Sequence, residues 1–226
     1  NTKNVSLELM RNPSVQDVYE PGSTGKVMTL AAALEEGTIS PETVFDVPYK
    51  IRRGGEDFKD HDPHPLQKLT TAGILAVSSN TGTIKISETM SHDTLYSYLT
   101  KFGIGAKTGA GLPGENVGRL LAVKDWSGTT APTVAFGQGY SLNAMQATSI
   151  FATLANNGIR VSPTVIAGTS DASGNFTQFK NEKGVQVVSA ATAAKMRIMM
   201  ESVVSSNGTA PSAAIPGYRV AGKTGT

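Results

Sequence analysis

Ser23-Thr24-Gly25-Lys26 is the only place in the chain where a serine stands three residues before a lysine, although lysine occurs thirteen times. On a helix that spacing brings both side chains to one face, within reach of each other. A serine hydroxyl is a poor nucleophile until a base takes its proton. A lysine held neutral by desolvation or by a neighbouring cation can be that base. The chemistry on offer is acyl transfer through a serine ester. An N-cap serine beside a solvated lysine would use the same letters, so the pair carries weight only in company.

That company is present further along. S-x-N occurs four times, at Ser78-Asn80, Ser141-Asn143, Ser173-Asn175 and Ser205-Asn207. Only the first follows an apolar run, "AGILAV", able to bury its backbone and deliver two polar side chains at a fixed helix end; capping accounts for the others. K-T-G occurs twice, and Lys107 to Gly109 sits among loop glycines. The second copy, Lys223-Thr224-Gly225 followed by Thr226, continues "YRVA", whose alternation of large and small residues suits a short strand. Such a strand sets a cation, two hydroxyls and backbone N–H groups in a row, which fits a carboxylate and a developing oxyanion. Gly225 allows close approach of the backbone.

The closing residues Gly217 to Thr224 also have the G-x-x-x-x-G-K-T spacing of a phosphate loop. A phosphate loop needs a buried strand before it and a helix after it. Here "NGTAPSAAIP" precedes it and Gly225 follows the Lys-Thr pair, so the nucleotide reading lacks its context.

The elements that must hold these residues are legible in outline. Residues 24 to 36 predict a helix with Ser23 at its mouth and Gly37 as its stop. Residues 41 to 68, rich in proline and acid, predict a strand or two within a surface excursion. "LTTAGILAVSSN" reads as a buried helix ending at polar residues, and further helices are expected near 91–101, 145–156 and 189–204, the last capped by Ser189. A hairpin is expected between the last two.

Composition excludes more than it selects. A content of 39% hydrophobic and 17% charged residues is ordinary for a globular domain, and a net charge of +2 gives no basic face for nucleic acid. Without cysteine there are no thiolate metal sites or disulfides, which suits an extracytoplasmic bacterial protein at least as well as a cytosolic one. No run of 18 apolar residues occurs. His61-Asp62-Pro63-His64 carries metal-ligand residue types, but its proline forbids a shared helix face, so a surface loop is expected and no metal or cofactor.

With S-x-x-K, S-x-N and K-T-G in that order, the chain resembles the penicilloyl-serine transferases, the penicillin-binding proteins and serine β-lactamases. "VYEPGSTGKVMTLAAALEEG", "LAVSSNTGTIKI", "FGIGAKTGAGLPGE", "VAFGQGYSLNAMQATSIFATLANNG" and "AAIPGYRVAGKTGT" are similar to segments of class B penicillin-binding proteins of the division type. The likeness covers nearly the whole chain. It implies an α/β transpeptidase fold, an antiparallel sheet beside a largely helical lobe with the site between them. Residues 1–226 would form one transpeptidase domain truncated at both ends, its sheet incomplete.

The resemblance also implies roles. Ser23 would be the acylated nucleophile, Lys26 its base, and Ser78 the relay towards the leaving amine. Asn80 would hold the substrate amide, Lys223 would keep Lys26 neutral, and Thr224 and Thr226 would bind the terminal carboxylate. The N–H groups of Ser23 and Thr226 would form the oxyanion hole, with Gly225 giving access. The implied reaction is D,D-transpeptidation of peptidoglycan stem peptides, with β-lactams as covalent inhibitors and with divisome proteins and a glycosyltransferase as partners. It would take place on the extracytoplasmic face of the bacterial membrane, anchored by a transmembrane segment outside this chain. D,D-carboxypeptidase, serine β-lactamase and β-lactam-sensing receptor domain are the alternatives; the E-x-x-L-N pattern of class A β-lactamases is absent. One position departs from the family: Gly25 stands where a bulky apolar residue is usual, and glycine inside a helix costs about 1 kcal/mol.

Overall fold

The computed structural model describes residue 6 and residues 10–180 and 183–225. After the short α1 (Pro13–Gln16), helix α2 (Lys26–Glu35) forms the centre of the molecule. Its sequence is rich in Ala, Leu and Met, good helix formers, and every residue from Lys26 to Leu34 is buried. A helix apolar all round belongs inside a core, and each fully buried Leu or Met there contributes roughly 1.5–3 kcal/mol. Gly37, at φ +68°, ends it as expected: its N–H reaches Leu34 O while Thr38 N–H reaches Ala33 O.

The excursion at 41–68 is more ordered than its composition suggests. Strand β1 (Val44–Val47) pairs antiparallel with β4 (Gln67–Thr70), and within that loop β2 (Lys50–Arg53) pairs with β3 (Glu56–Lys59). The inner hairpin turns on Gly54 and Gly55, both at positive φ, the requirement of a tight two-residue turn. Thr70 then caps α3 (Thr71–Ala76), and Ser79 caps α4 (Asn80–Ser87) by accepting from Gly82 N–H. Both helices pack against α2.

Helices α5 (His92–Lys101), α6 (Thr130–Ala135), α7 (Ala144–Ala155) and α8 (Ala190–Val203) complete the helical mass. Asn143 and Gln146 close a reciprocal capping box at α7, and Ser189 caps α8. Between α7 and α8, β5 (Ile159–Arg160) pairs with β8 (Val185–Gln186), and β6 (Gly168–Ser170) with β7 (Phe176–Gln178) as a hairpin.

The mixed helix and strand class stands, with one correction. The described residues hold four separate two-stranded antiparallel ladders. The "YRVA" segment is not a strand among them. Its alternation supplies propensity, but β-structure needs a ladder alongside, and no described segment provides one. Tyr218 is 77% exposed, and the run is tied instead to α8 through Gly222 N–H and Met200 O.

Candidate active site

Ser23 lies in a 3₁₀ turn, Gly22–Gly25, that runs directly into α2 at Lys26. It is part of the turn and makes no capping hydrogen bond, so its hydroxyl is not spent on the helix end. The turn is pinned from outside: Gly22 N–H donates to Gly137 O (2.8 Å) and Thr24 Oγ1 to Pro21 O (2.7 Å). Gly25 answers the departure noted above. A Cβ there would collide with Tyr140 Oη and lie 2.8 Å from Gly137 Cα, so only glycine lets the turn settle against this loop.

Lys26 is completely buried. Its Nζ donates to the carbonyl of Ser78 and, at 3.2 Å, to Ser78 Oγ. Burial lowers its ammonium to about 7; Lys223 pushes the same way and Asp60 opposes. Lys223 is itself lowered to about 8 by burial, and its Nζ reaches Ser78 Oγ at 2.8 Å and Thr224 Oγ1 at 3.0 Å. Ser78 Oγ thus accepts from both amines, one on each side. The backbone makes this possible: Ser78 sits at φ +61°, a left-handed residue between α3 and α4 that turns its side chain back onto Lys26.

Ser23, Ser78, Asn80 and Thr224 line one open cleft of about 740 Å³, together with Phe58 and Phe136. Gly225 borders a separate hollow with Thr24 and Phe151, and Thr226 lies outside the described residues. Among the described residues, Ser23 Oγ makes no hydrogen bond: Lys26 is turned towards Ser78. The other S-x-N copies do serve local structure, Asn143 as a helix cap and Asn175 in the hairpin tip bonded to Asp171. Lys107 to Gly109 lies in a loop where Thr108 N–H donates to Glu115 (2.6 Å) and contributes nothing to the cleft.

Three cleft residues had no signal in the sequence. Asp60, 8% exposed, accepts from Ser79 Oγ (2.7 Å), Asn80 N–H (2.6 Å) and Thr81 N–H (2.9 Å). Thr209 bonds Thr224 at the cleft wall at 2.8 Å. Gln138 projects from a loop whose neighbour Gly139 donates its N–H to Glu20. His64 bonds Asp60 at 3.0 Å, while His61 stays on the exposed rim and His92 packs at a tilt against Trp126.

A buried amine bonded to a bridging serine, itself at the wall of a cleft that a second, unbonded serine also lines, is equipment for acyl transfer. Comparison with known proteins agrees. The penicillin binding protein transpeptidase domain matches residues 1–226. Penicillin-binding protein PbpB of Mycolicibacterium smegmatis is 40% identical over 96% of this chain and 34% of its own length. Peptidoglycan D,D-transpeptidase FtsI of Escherichia coli is 33% identical over 100% of this chain and 36% of its own. The chain thus spans about a third of the length of these relatives. The crystal structure of penicillin binding protein 3 from Mycobacterium tuberculosis complexed with aztreonam superposes with a TM-score of 0.92 at 39% identity, covering 95% of this chain and 49% of that one. The chain belongs to the penicillin-binding protein transpeptidase domain family.

Proposed function

We infer that this domain is a peptidoglycan D,D-transpeptidase working through an ester on Ser23. The observation that carries the reading is Ser78 Oγ held between Lys26 and Lys223 at the wall of the cleft that Ser23 lines. Neutral Lys26 takes the Ser23 proton as Oγ attacks the carbonyl carbon of the stem peptide's penultimate residue. The tetrahedral oxyanion collapses, the C–N bond breaks, and the proton reaches the departing D-alanine amine by way of Ser78. An amine on a neighbouring strand then attacks the ester, loses its proton by the reverse path, and frees Ser23.

Positioning follows from polarity. Asn80 Nδ2 donates to Lys59 O (3.0 Å), which leaves Oδ1 to accept the N–H of an extended donor peptide. Lys223 and Thr224, with Thr226, suit the terminal carboxylate, and Gly225 lets the backbone come close. The N–H groups of Ser23 and Thr226 are the proposed oxyanion donors.

The same chemistry makes β-lactams acylating inhibitors, as aztreonam is bound by the relative above. Among the described residues no helix is long and apolar enough to cross a membrane. A substrate in the cell wall supports a location on the extracytoplasmic face of the membrane; we propose that a membrane segment outside residues 1–226 holds the domain there and that divisome proteins and a glycosyltransferase are its partners. Ser23→Ala tests the assignment. It should abolish labelling by a fluorescent penicillin and turnover of a D-alanyl-D-alanine peptide with an amine acceptor, while thermal melting stays unchanged. Retained labelling refutes it, and turnover to water alone would make the domain a carboxypeptidase.

A further inference from the structure

Asp60 stands at the end of β3 and closes the N-terminus of α4 from outside that helix. Its Oδ1 accepts the first two N–H groups, from Asn80 and Thr81, while Ser79 Oγ accepts the third, from Gly82. Ser79 in turn gives its proton to Asp60 Oδ2 at 2.7 Å. A carboxylate is well placed there, since the positive end of the helix dipole meets it. The neighbouring carbonyl, Lys59 O, holds Asn80 Nδ2. One strand end therefore grips the Ser78-Ser79-Asn80 turn through two backbone N–H groups, a hydroxyl and a side-chain amide.

His64 holds the carboxylate in place. Its Nδ1 faces Pro65 O at 2.7 Å and its Nε2 faces Asp60 Oδ2 at 3.0 Å. Both partners are acceptors, so both ring nitrogens donate and the ring is the cation, with Tyr49 at its edge, 5.9 Å between centroids. Charge-assisted bonds of this kind are roughly twice as strong as neutral ones.

This grip matters because of where Ser78 sits. A non-glycine residue in the left-handed region is strained and persists only where its surroundings enforce it. Ser78 takes that conformation directly before the clamped pair, and both of its oxygens meet Lys26.

We propose that Asp60, held by His64, is a positioning residue for acyl transfer: it fixes the turn that keeps Ser78 Oγ on the two amines and Asn80 on the cleft wall. The proposal rests on the acyl-transfer reading of the site. Two charged groups bear on Lys26, Lys223 against its protonation and Asp60 in favour of it. Removing the Asp60 charge therefore moves the rise of acylation rate with pH to lower pH. A carboxylate that merely stabilised the fold would, once lost, lower the melting temperature and leave the plateau rate of the folded protein unchanged.

The experiment measures the rate of Ser23 acylation by fluorescent penicillin against pH, with the labelled peptide identified by mass. Asp60→Asn should lower the plateau rate by about tenfold or more, the loss of charge-assisted hydrogen bonds, and shift the acid limb downward. His64→Ala should slow acylation about threefold or more, and His64→Gln, which keeps a donor towards Asp60, should restore it to within about twofold of the parent. If Asp60→Asn does not fold, the His64 pair decides. An Asp60→Asn protein that acylates at the parent rate, or more slowly with its acid limb unmoved, overturns the proposal, as does a His64→Ala protein indistinguishable from the parent. If the parent itself is not labelled at Ser23, the acyl-transfer reading falls first, so the two failures are distinct.

Discussion

Lys26 Nζ donates to both oxygens of Ser78, its carbonyl and its hydroxyl, the latter at 3.2 Å. A protonated amine can satisfy both, and a neutral one keeps a lone pair for a proton. With the Lys26 ammonium lowered to about 7, the two forms coexist near neutral pH, and the group is poised to exchange a proton with a serine.

The sign of the pH dependence follows. Only the neutral amine acts as a base, so acylation of Ser23 should rise with pH through about 7 and level off above it. Lys26→Arg, charged at all accessible pH, keeps the cation and loses the base. Its acylation rate should fall by about 10²–10⁴-fold. Stopped-flow labelling across pH 5–9 checks both statements, and an arginine variant near the parent rate would remove Lys26 from the role.

The same burial costs stability. Folded Lys26 holds its proton less tightly than the unfolded chain does, so between about 7 and the ordinary lysine value of 10.5 the unfolded state binds more protons. This group's contribution to stability therefore grows as pH rises through that window. Lys26→Met, similar in shape and without charge, should raise stability at pH 7 by on the order of 2 kcal/mol while abolishing labelling. A melting temperature that falls would contradict the picture.

Gly25 and Tyr140 form a coupled pair. Tyr140 Oη, buried and without a hydrogen-bond partner among the described residues, fills the space a Cβ on Gly25 would need. Tyr140→Phe alone should be neutral or stabilising by about 1 kcal/mol, because it removes an unsatisfied hydroxyl. Gly25→Ala alone should cost about 2 kcal/mol or more through overpacking and should slow labelling. The double variant should recover part of that loss, and only part, since Gly137 Cα still lies 2.8 Å from the new Cβ. Denaturant melts of the four proteins give the coupling energy, and strict additivity would sink the idea.

These cases also mark what sequence could and could not tell. The ends of α2 and α8 were legible because Gly37 and Ser189 signal locally, and the motif spacing picked out Ser23, Ser78, Asn80 and Thr224, which line one cleft. The function of Asp60 was not: the groups it caps lie 19 to 21 residues away, and in "GEDFKDHD" it looks like one more surface acid. Gly25 looked like a cost until Tyr140 was seen above it. Tyr218 to Ala221 had strand propensity, which is local, without a ladder partner, which is not.

The last prediction concerns the lifetime of the penicilloyl ester. Hydrolysis needs a water held by a general base on the open side of the ester. Among the described residues three carboxylates line the cleft: Asp57, Asp60 and Asp62. Asp57 is paired with Lys50 and Arg52 on the hairpin, and Asp60 is committed to Ser79, Asn80, Thr81 and His64. Asp62 lies on the rim with its side chain 89% exposed to solvent, and so is not held against the ester. Lys26 and Ser78 are bonded to each other on the acylation side. A β-lactam's leaving nitrogen also stays tethered after ring opening and blocks the path by which an acceptor amine enters. The adduct on Ser23 should therefore outlast many turnovers of the peptide reaction. Intact-mass spectrometry after mixing with benzylpenicillin decides it: a persistent mass increase equal to the drug is expected. An adduct that vanishes within seconds while drug is consumed would move the protein to the β-lactamases.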